Sequence, residues 1–207
     1  MLRLIEVAIA QMGIKVVISH LIGINEGEIG LSACLPSFLE RIFEFRVLGK
    51  GLKWKYRKML LKESKRKKIW EPFVLPRFKK VNRTITSFQN MVPGVLYRPK
   101  DSTFPLVDMY YKDASEKLYG IQATMAKKHA KNVTVYQEFY DEIGTDPITT
   151  PLMLYYLIMP CNIEHFSQAT FSEGKFFLDV KSRKSASWMK KISFFAIVPP
   201  DDFGAEF

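Results

Sequence analysis

The chain has 207 residues, 47% of them hydrophobic, and a formal net charge of +10. This length suits one large domain or one domain with an extension, and the hydrophobic content excludes an intrinsically disordered chain. No apolar run reaches the about 20 residues that cross a bilayer. The apolar N-terminus is interrupted by Arg3, Glu6 and Lys15, so we expect no signal peptide. The two cysteines, Cys34 and Cys161, argue against a disulfide framework and favour a reducing, intracellular compartment.

The first predicted element is an amphipathic helix from Leu35 to Leu48, which follows an N-terminal extension at residues 1–30. Leu35, Leu39 and Phe43 recur at the spacing of one helix face. Glycines at positions 49 and 51 predict where the helix ends. Glu40 lies beside the apolar stripe, and helix periodicity alone makes it a solvated glutamate.

Most of the positive charge lies in a basic segment, Lys50–Lys80, which forms an insert in a domain spanning residues 31–207. The segment holds thirteen Lys or Arg residues against two acids, so the rest of the chain is nearly neutral. A local basic surface indicates a polyanionic partner. In the strand predicted at Leu52–Leu61, basic residues alternate with Trp54 and Tyr56, a pattern that suits phosphate contact and base stacking. A solvated loop is an equal alternative. The residues expected to bind nucleic acid are Lys53, Lys55, Arg57, Lys65, Arg66, Lys67 and Lys68, and the last four also have the form of a nuclear-import signal.

The following stretch, Glu71–Asn90, contains two prolines and several basic residues, and we predict that it is irregular. Met91–Pro99 is predicted to be a short strand bounded by proline and glycine. Two longer apolar and aromatic stretches come next, Phe104–Tyr111 and Leu118–Met125. The polar connector between them, residues 112–117, predicts an antiparallel hairpin.

The hairpin places three polar residues in a defined relation. If Ser115 is the apex, Asp108 lies opposite Gln122, because each is seven residues away. Directly opposed residues share a face of the ribbon, and a period of two adds Thr124 to that face. The sequence therefore predicts that an acid, an amide and a hydroxyl converge on one side. A solvated or edge aspartate is the plainer alternative.

The remaining elements complete a mixed α/β (α+β) fold. Thr134 and Gln137 have the spacing of a capping box, and the helix that they open is predicted to end at Gly144. Leu152–Met159 is a continuous apolar run that suits a strand buried on both faces. Ile192–Val198 is predicted to be the last strand. This order of elements predicts a mixed β-sheet flanked by helices.

The segments Tyr97–Pro99, Phe104–Asp108 and Gly120–Thr124 carry a resemblance to a known family. They are similar to the retrotransposon hot spot proteins of trypanosomes and, more distantly, to the Crinkler effectors. The resemblance covers about residues 35 to 165 and includes Leu152–Pro160. It concerns only the C-terminal module of those proteins, since this sequence contains no phosphate loop of an ATP-binding domain.

That module is similar to nucleases of the PD-(D/E)XK type, which have a restriction-endonuclease-like core. In that fold a helix Glu, a strand Asp and an (E/D)xK motif on the next strand surround one or two Mg²⁺ ions, which activate water and neutralise the phosphate. The resemblance assigns these places to Glu40, Asp108, Gln122 and Thr124, with Glu40, Asp108 and Gln122 as metal ligands. Gln122 offers only a carbonyl oxygen and Thr124 no positive charge, so the motif departs from the active pattern.

Three functions stay open on the sequence. The first is a nuclear module that binds DNA or RNA and has a degenerate nuclease-like site. The second is an active Mg²⁺-dependent nuclease. The third is a protein-interaction or effector module whose basic segment serves only nuclear import. We expect localisation in the nucleus, or in both cytoplasm and nucleus, and no membrane partner.

Overall fold

A computed structural model describes residues 35–49, 51–59, 69–75, 77–101, 103–124, 133–158, 188 and 191–198. The N-terminal extension, the run Lys65–Lys68 and both cysteines lie outside the described residues. Two helices, one short 3-10 helix and eight strands are described. They are α1 (Leu35–Gly49), β1 (Leu52–Met59), β2 (Glu71–Leu75), β3 (Lys80–Asn82), the 3-10 helix (Phe88–Asn90), β4 (Val95–Tyr97), β5 (Met109–Lys112), β6 (Leu118–Thr124), α2 (Val133–Glu142), β7 (Leu152–Ile158) and β8 (Ser193–Val198).

All eight strands join one mixed sheet in the order β2-β1-β8-β7-β6-β5-β4-β3. The pairs β6–β7, β7–β8 and β3–β4 are parallel, and the other four pairs are antiparallel. The predicted mixed sheet with flanking helices is confirmed. The basic segment supplies strands at both edges, because β1 and β2 lie at one end of the sheet and β3 lies at the other.

The sheet separates two hydrophobic cores, one under each helix. Leu39, Ile42 and Phe43 of α1 pack on one face, which we call the α1 face. Tyr136 and Phe139 of α2 pack on the opposite face, the α2 face. Along β6 and β7 successive side chains alternate between the two cores, as the geometry of a strand requires. The molecule is therefore layered as helix, sheet and helix around its central strands.

The predicted hairpin is confirmed, with its apex at Ser115. Met109 pairs with Ile121 and Lys112 with Leu118, and both pairs are symmetric about residue 115. The first strand is shorter than predicted and begins at Met109. The reason is a tight turn at Leu106, where the backbone has a φ of 66° and the Val107 amide donates to the Pro105 carbonyl at 2.8 Å. This three-residue turn keeps the chain from extending before Asp108.

The prediction that Glu71–Asn90 is irregular was wrong in part, because the stretch contains β2, β3 and the 3-10 helix. Pro72 was one of the two prolines on which the prediction of irregular structure rested. It lies on β2, the edge strand of the sheet, where proline is tolerated because one side of the strand makes no ladder hydrogen bonds. The strand predicted within Met91–Pro99 is confirmed as β4.

The later elements agree with the prediction except at one helix start. Strands β7 and β8 are confirmed, and β7 is buried on both faces. Helix α2 begins at Val133, so Thr134 is already helical and exposed, and the predicted cap at Thr134 is wrong. The helix is followed by Gly144 at a φ of 61°, a conformation that favours glycine. No helix in the described part of the chain is long and apolar enough to cross a membrane.

Candidate functional site

Helix α1 carries two buried carboxylates. Glu40 and Glu44 lie one helical turn apart, and each residue is only 8% exposed. Glu40 is therefore not the solvated glutamate that periodicity favoured. A carboxylate taken out of water needs a positive partner or strong hydrogen bonds to stay ionised. The surroundings of these two acids consequently determine what the site can bind.

The main partner of both carboxylates is Arg98, which directly follows β4. Its Nη2 donates to Glu40 Oε2 at 2.5 Å, and its Nη1 donates to Glu44 Oε2 at 2.9 Å. Arg83 donates to the other oxygen of Glu44, and Arg41 lies 3.5 Å from Glu44 Oε2. One guanidinium thus bridges the two acids and ties helix α1 to the sheet.

The pKa of Glu40 is raised from 4.5 to about 7. Burial of the carboxyl is the largest cause, and the negative charge of Asp108 is the second. Arg98 and Arg41 act in the opposite direction, and the guanidinium contact alone would lower the pKa. Burial and a like charge outweigh the ion pair, so Glu40 takes up a proton near neutral pH.

Asp108 is held at the point where the hairpin opens. Its Oδ2 accepts a hydrogen bond from the Ala123 backbone amide at 2.7 Å, and its own amide donates to the Ile121 carbonyl at 2.9 Å. The carboxylate therefore takes the place of a backbone acceptor beside β6. It also lies close enough to Glu40 to raise the pKa of that group. The structure brings Glu40 and Asp108 together, as the resemblance implies.

Gln122 and Thr124 lie on the opposite face of the sheet from α1, the helix that carries Glu40. Their neighbours in β6, Ile121 and Ala123, pack in the core under α1, so alternation directs Gln122 and Thr124 to the α2 face. Gln122 pairs in register with Tyr156, which belongs to the core under α2. The two residues share a face, as predicted, but Glu40 approaches from the other side of the sheet. The sheet therefore separates Glu40 from Gln122 and Thr124.

Gln122 is only 7% exposed, and none of the described residues donates a hydrogen bond to its carbonyl oxygen Oε1. An oxygen of this kind is a suitable ligand for a hard cation such as Mg²⁺. Of the acids that would complete such a site, Glu40 comes from α1 on the opposite face, where Arg98 already contacts it. Within the described ranges, no group of three or more His, Cys, Asp or Glu side chains is arranged to hold a metal ion. The residues present do not fit the metal centre that the resemblance implies.

A different surface is formed by the antiparallel pair β1–β2. Trp54, Phe73 and Leu75 pack under α1. The opposite face of the pair carries four exposed residues, and we call it the open ribbon face. Its members are Lys53 and Lys55 of β1 with their register partners Val74 and Pro72 of β2.

Arg57 differs from the two lysines, although it was predicted to share their role. It is only 5% exposed, and its guanidinium carbon lies 5.3 Å from the centre of the Trp70 ring. Arg57 is therefore not exposed on the open ribbon face, and its predicted contact with phosphate stays a prediction. Lys53 and Lys55 are exposed, as expected, and their register partners are Val74 and Pro72 of β2.

The sequence prediction missed Arg98 and Glu44. Glu44 lies four residues after Glu40, a spacing that places both on one side of a helix and that was open to inspection. Arg98 gave no such signal, since it meets these acids across more than fifty residues of chain. The tertiary fold, and not the local sequence, brings Arg98 to these acids on α1.

Comparison with models of known protein families finds no match for this chain, and neither does comparison with curated proteins or with solved structures.

Proposed function

We propose that this chain is a nuclear, nucleic-acid-binding module of the retrotransposon hot spot type, with a degenerate nuclease-like site. The observation that carries the proposal is the open ribbon face. Lys53 and Lys55 are exposed there within a segment that holds a surplus of positive charge. Lysines on an open strand surface neutralise phosphates without reading sequence, which is the main source of non-specific affinity for nucleic acid.

The arrangement of elements supports the restriction-endonuclease-like part of the proposal. A helix carries Glu40, the start of a strand carries Asp108, and the next strand carries Gln122. A second helix and a parallel strand follow, and the two helices cover opposite faces of the sheet. This order agrees with the one that the resemblance implies, and the nearness of Glu40 to Asp108 agrees with it as well.

The chemistry of the site favours binding without cleavage. Gln122 and Thr124 lie on the other face from Glu40, and Thr124 supplies no positive charge to stabilise a developing oxyanion. Arg98 already donates a hydrogen bond to the Glu40 carboxylate, which is the group that would have to bind a metal ion. For these reasons we favour nucleic-acid binding over catalysis as the function of this chain. An active Mg²⁺-dependent nuclease and a protein-interaction module are the competing outcomes of the test.

The test is the binding of single- and double-stranded DNA and RNA across a salt series, with and without Mg²⁺. The slope of log K against log salt is negative, and each lost phosphate contact makes it shallower by about 0.9 on duplex DNA. The double variant Lys53→Gln/Lys55→Gln should therefore weaken duplex binding and make that slope shallower by about 1.8. The matched control, Lys100→Gln/Lys117→Gln, removes two exposed lysines elsewhere and should leave both quantities close to those of the native chain.

The outcomes separate the three functions. Salt-dependent binding that falls in the ribbon variant and not in the control supports the proposal. Mg²⁺-dependent cleavage that Asp108→Asn abolishes would instead make the chain a nuclease. Absence of binding at low salt to all four nucleic acids would refute both and leave the protein-interaction module. Equal losses in the two double variants would show that net charge, and not the ribbon, determines binding.

A further inference from the structure

The acidic side chains of Glu40, Glu44 and Asp108 form a cluster at α1 that attracts a cation. Arg98 of the same chain supplies a positive charge there. We propose that Arg98 serves as the resident cation of the Glu40–Glu44–Asp108 cluster and closes that cluster to divalent metal ions. This inference concerns the acid cluster alone and does not depend on the proposed binding of nucleic acid.

The contacts of Arg98 are those expected of a built-in counterion. Its side chain is only 13% exposed and bridges two carboxylates that are themselves buried. A planar guanidinium with two donors in one plane matches this bridging geometry, whereas a lysine offers a single ammonium group. Arg98 thus lies between the acids rather than at the rim of the cluster.

The balance of charge points the same way. Three acids, Glu40, Glu44 and Asp108, meet three arginines, Arg98, Arg83 and Arg41, in the described part of this cluster. These six side chains therefore sum to a formal charge of zero when all of them are ionised. A divalent ion added to the cluster would raise its charge to +2 in a poorly solvated place, which is unfavourable.

The free oxygens are too few for tight metal binding. Glu40 Oε2 and Glu44 Oε2 are engaged by Arg98, Glu44 Oε1 by Arg83, and Asp108 Oδ2 by the Ala123 amide. Mg²⁺ requires oxygen ligands at about 2.0–2.1 Å in octahedral geometry. Removal of Arg98 would release one oxygen on each glutamate and leave a negative cluster. The cluster would then become able to bind a divalent cation.

The test uses Mn²⁺ as the probe, followed by electron paramagnetic resonance of the free ion and by the melting temperature. The native chain should show no saturable Mn²⁺ binding. Arg98→Gln should melt lower without metal, bind Mn²⁺ saturably at concentrations at least about tenfold below any weak association with the native chain, and regain melting temperature as the site fills. The gain should disappear when Asp108→Asn is added to Arg98→Gln.

Two controls isolate the position of the charge. Arg83→Gln removes one guanidinium from the same cluster but leaves Arg98 in place, and Arg98→Lys keeps a positive charge there. Neither should gain Mn²⁺ binding. Gain of binding in Arg83→Gln equal to that in Arg98→Gln would overturn the inference, because any lost charge would then suffice.

If Arg98→Gln does not fold, the native chain and Arg98→Lys decide the matter. The inference requires that neither binds Mn²⁺ saturably. Saturable binding by the native chain that Asp108→Asn abolishes would show a metal site that Arg98 does not close. That outcome leaves the ribbon test unaffected, and loss of ribbon binding likewise leaves this inference standing.

Discussion

Glu40 makes folding stability depend on pH in a direction opposite to that of most carboxylates. Its pKa is raised from 4.5 to about 7, by burial first and by Asp108 second. The folded chain therefore holds a proton that the unfolded chain releases between these two values. An acid whose pKa is raised in the folded state loses stability as pH rises, so its unfavourable contribution is absent below the unfolded value and complete above the folded one.

The magnitude follows from the shift. A difference of about 2.5 pH units at about 1.36 kcal/mol for each unit amounts to about 3 kcal/mol. On account of Glu40, the free energy of unfolding should fall by most of that amount, about 2–3 kcal/mol, between pH 5 and pH 8. Glu40→Gln carries no ionisable group and preserves the shape of the side chain. The difference in unfolding free energy between the variant and the native chain should accordingly move by about 2–3 kcal/mol in favour of the variant over this range.

Urea unfolding at pH 5, 6, 7 and 8 measures this difference directly, because the contributions of other titrating groups largely cancel between the two proteins. Glu138→Gln, at an exposed position on α2, is the matched control, and its difference from the native chain should stay constant. A constant difference for Glu40→Gln as well would refute the reasoning. It would mean that Arg98 stabilises the ionised carboxylate enough to cancel the effects of burial and of Asp108.

Two further changes test the packing around the site. Gly120→Ala should cost about 1–3 kcal/mol of unfolding free energy, because the added Cβ would lie 2.7 Å from Val107 Cγ1 inside the core. Gly49→Ala, which meets nothing within 4 Å, is its control, and urea unfolding should show little loss. Asp108→Ala should cost about 1–3 kcal/mol by leaving the Ala123 amide without its acceptor. Asp108→Asn retains an acceptor oxygen and should cost less, so equal losses in the two Asp108 variants would contradict this role of the hydrogen bond.

The hairpin illustrates what local pattern can predict. Apolar strands of similar length around a polar connector determine the apex, and the apex determines the register, so the pairing around Ser115 followed from the sequence. The start of β5 did not follow, because it depends on a positive φ at Leu106, a residue type that rarely adopts one. The resulting turn gives Asp108 a hydrogen-bonding role that strand periodicity does not predict.

The division of the predicted site has a different cause. Alternation placed Gln122 and Thr124 on one face, as expected, but which face looks toward α1 is decided by packing across the whole sheet. The sequence contained no information on that choice beyond the resemblance. The contact of Arg98 with the two glutamates could not be predicted for a similar reason. An ion pair between distant segments produces no periodic pattern in the sequence of either segment.

The chain thus contains two electrostatic systems that should respond independently. The cluster under α1 pairs buried acids with arginines, so its variants change stability with little effect on the field outside. The open ribbon face is positive and solvated, and single exposed lysines contribute little to stability. Arg98→Lys should therefore lower the melting temperature and leave the salt slope of nucleic-acid binding unchanged, while Lys53→Gln/Lys55→Gln should do the reverse. If Arg98→Lys also weakened binding while remaining folded, the two systems would be coupled, and the acid cluster would then have to be counted as part of the nucleic-acid interface.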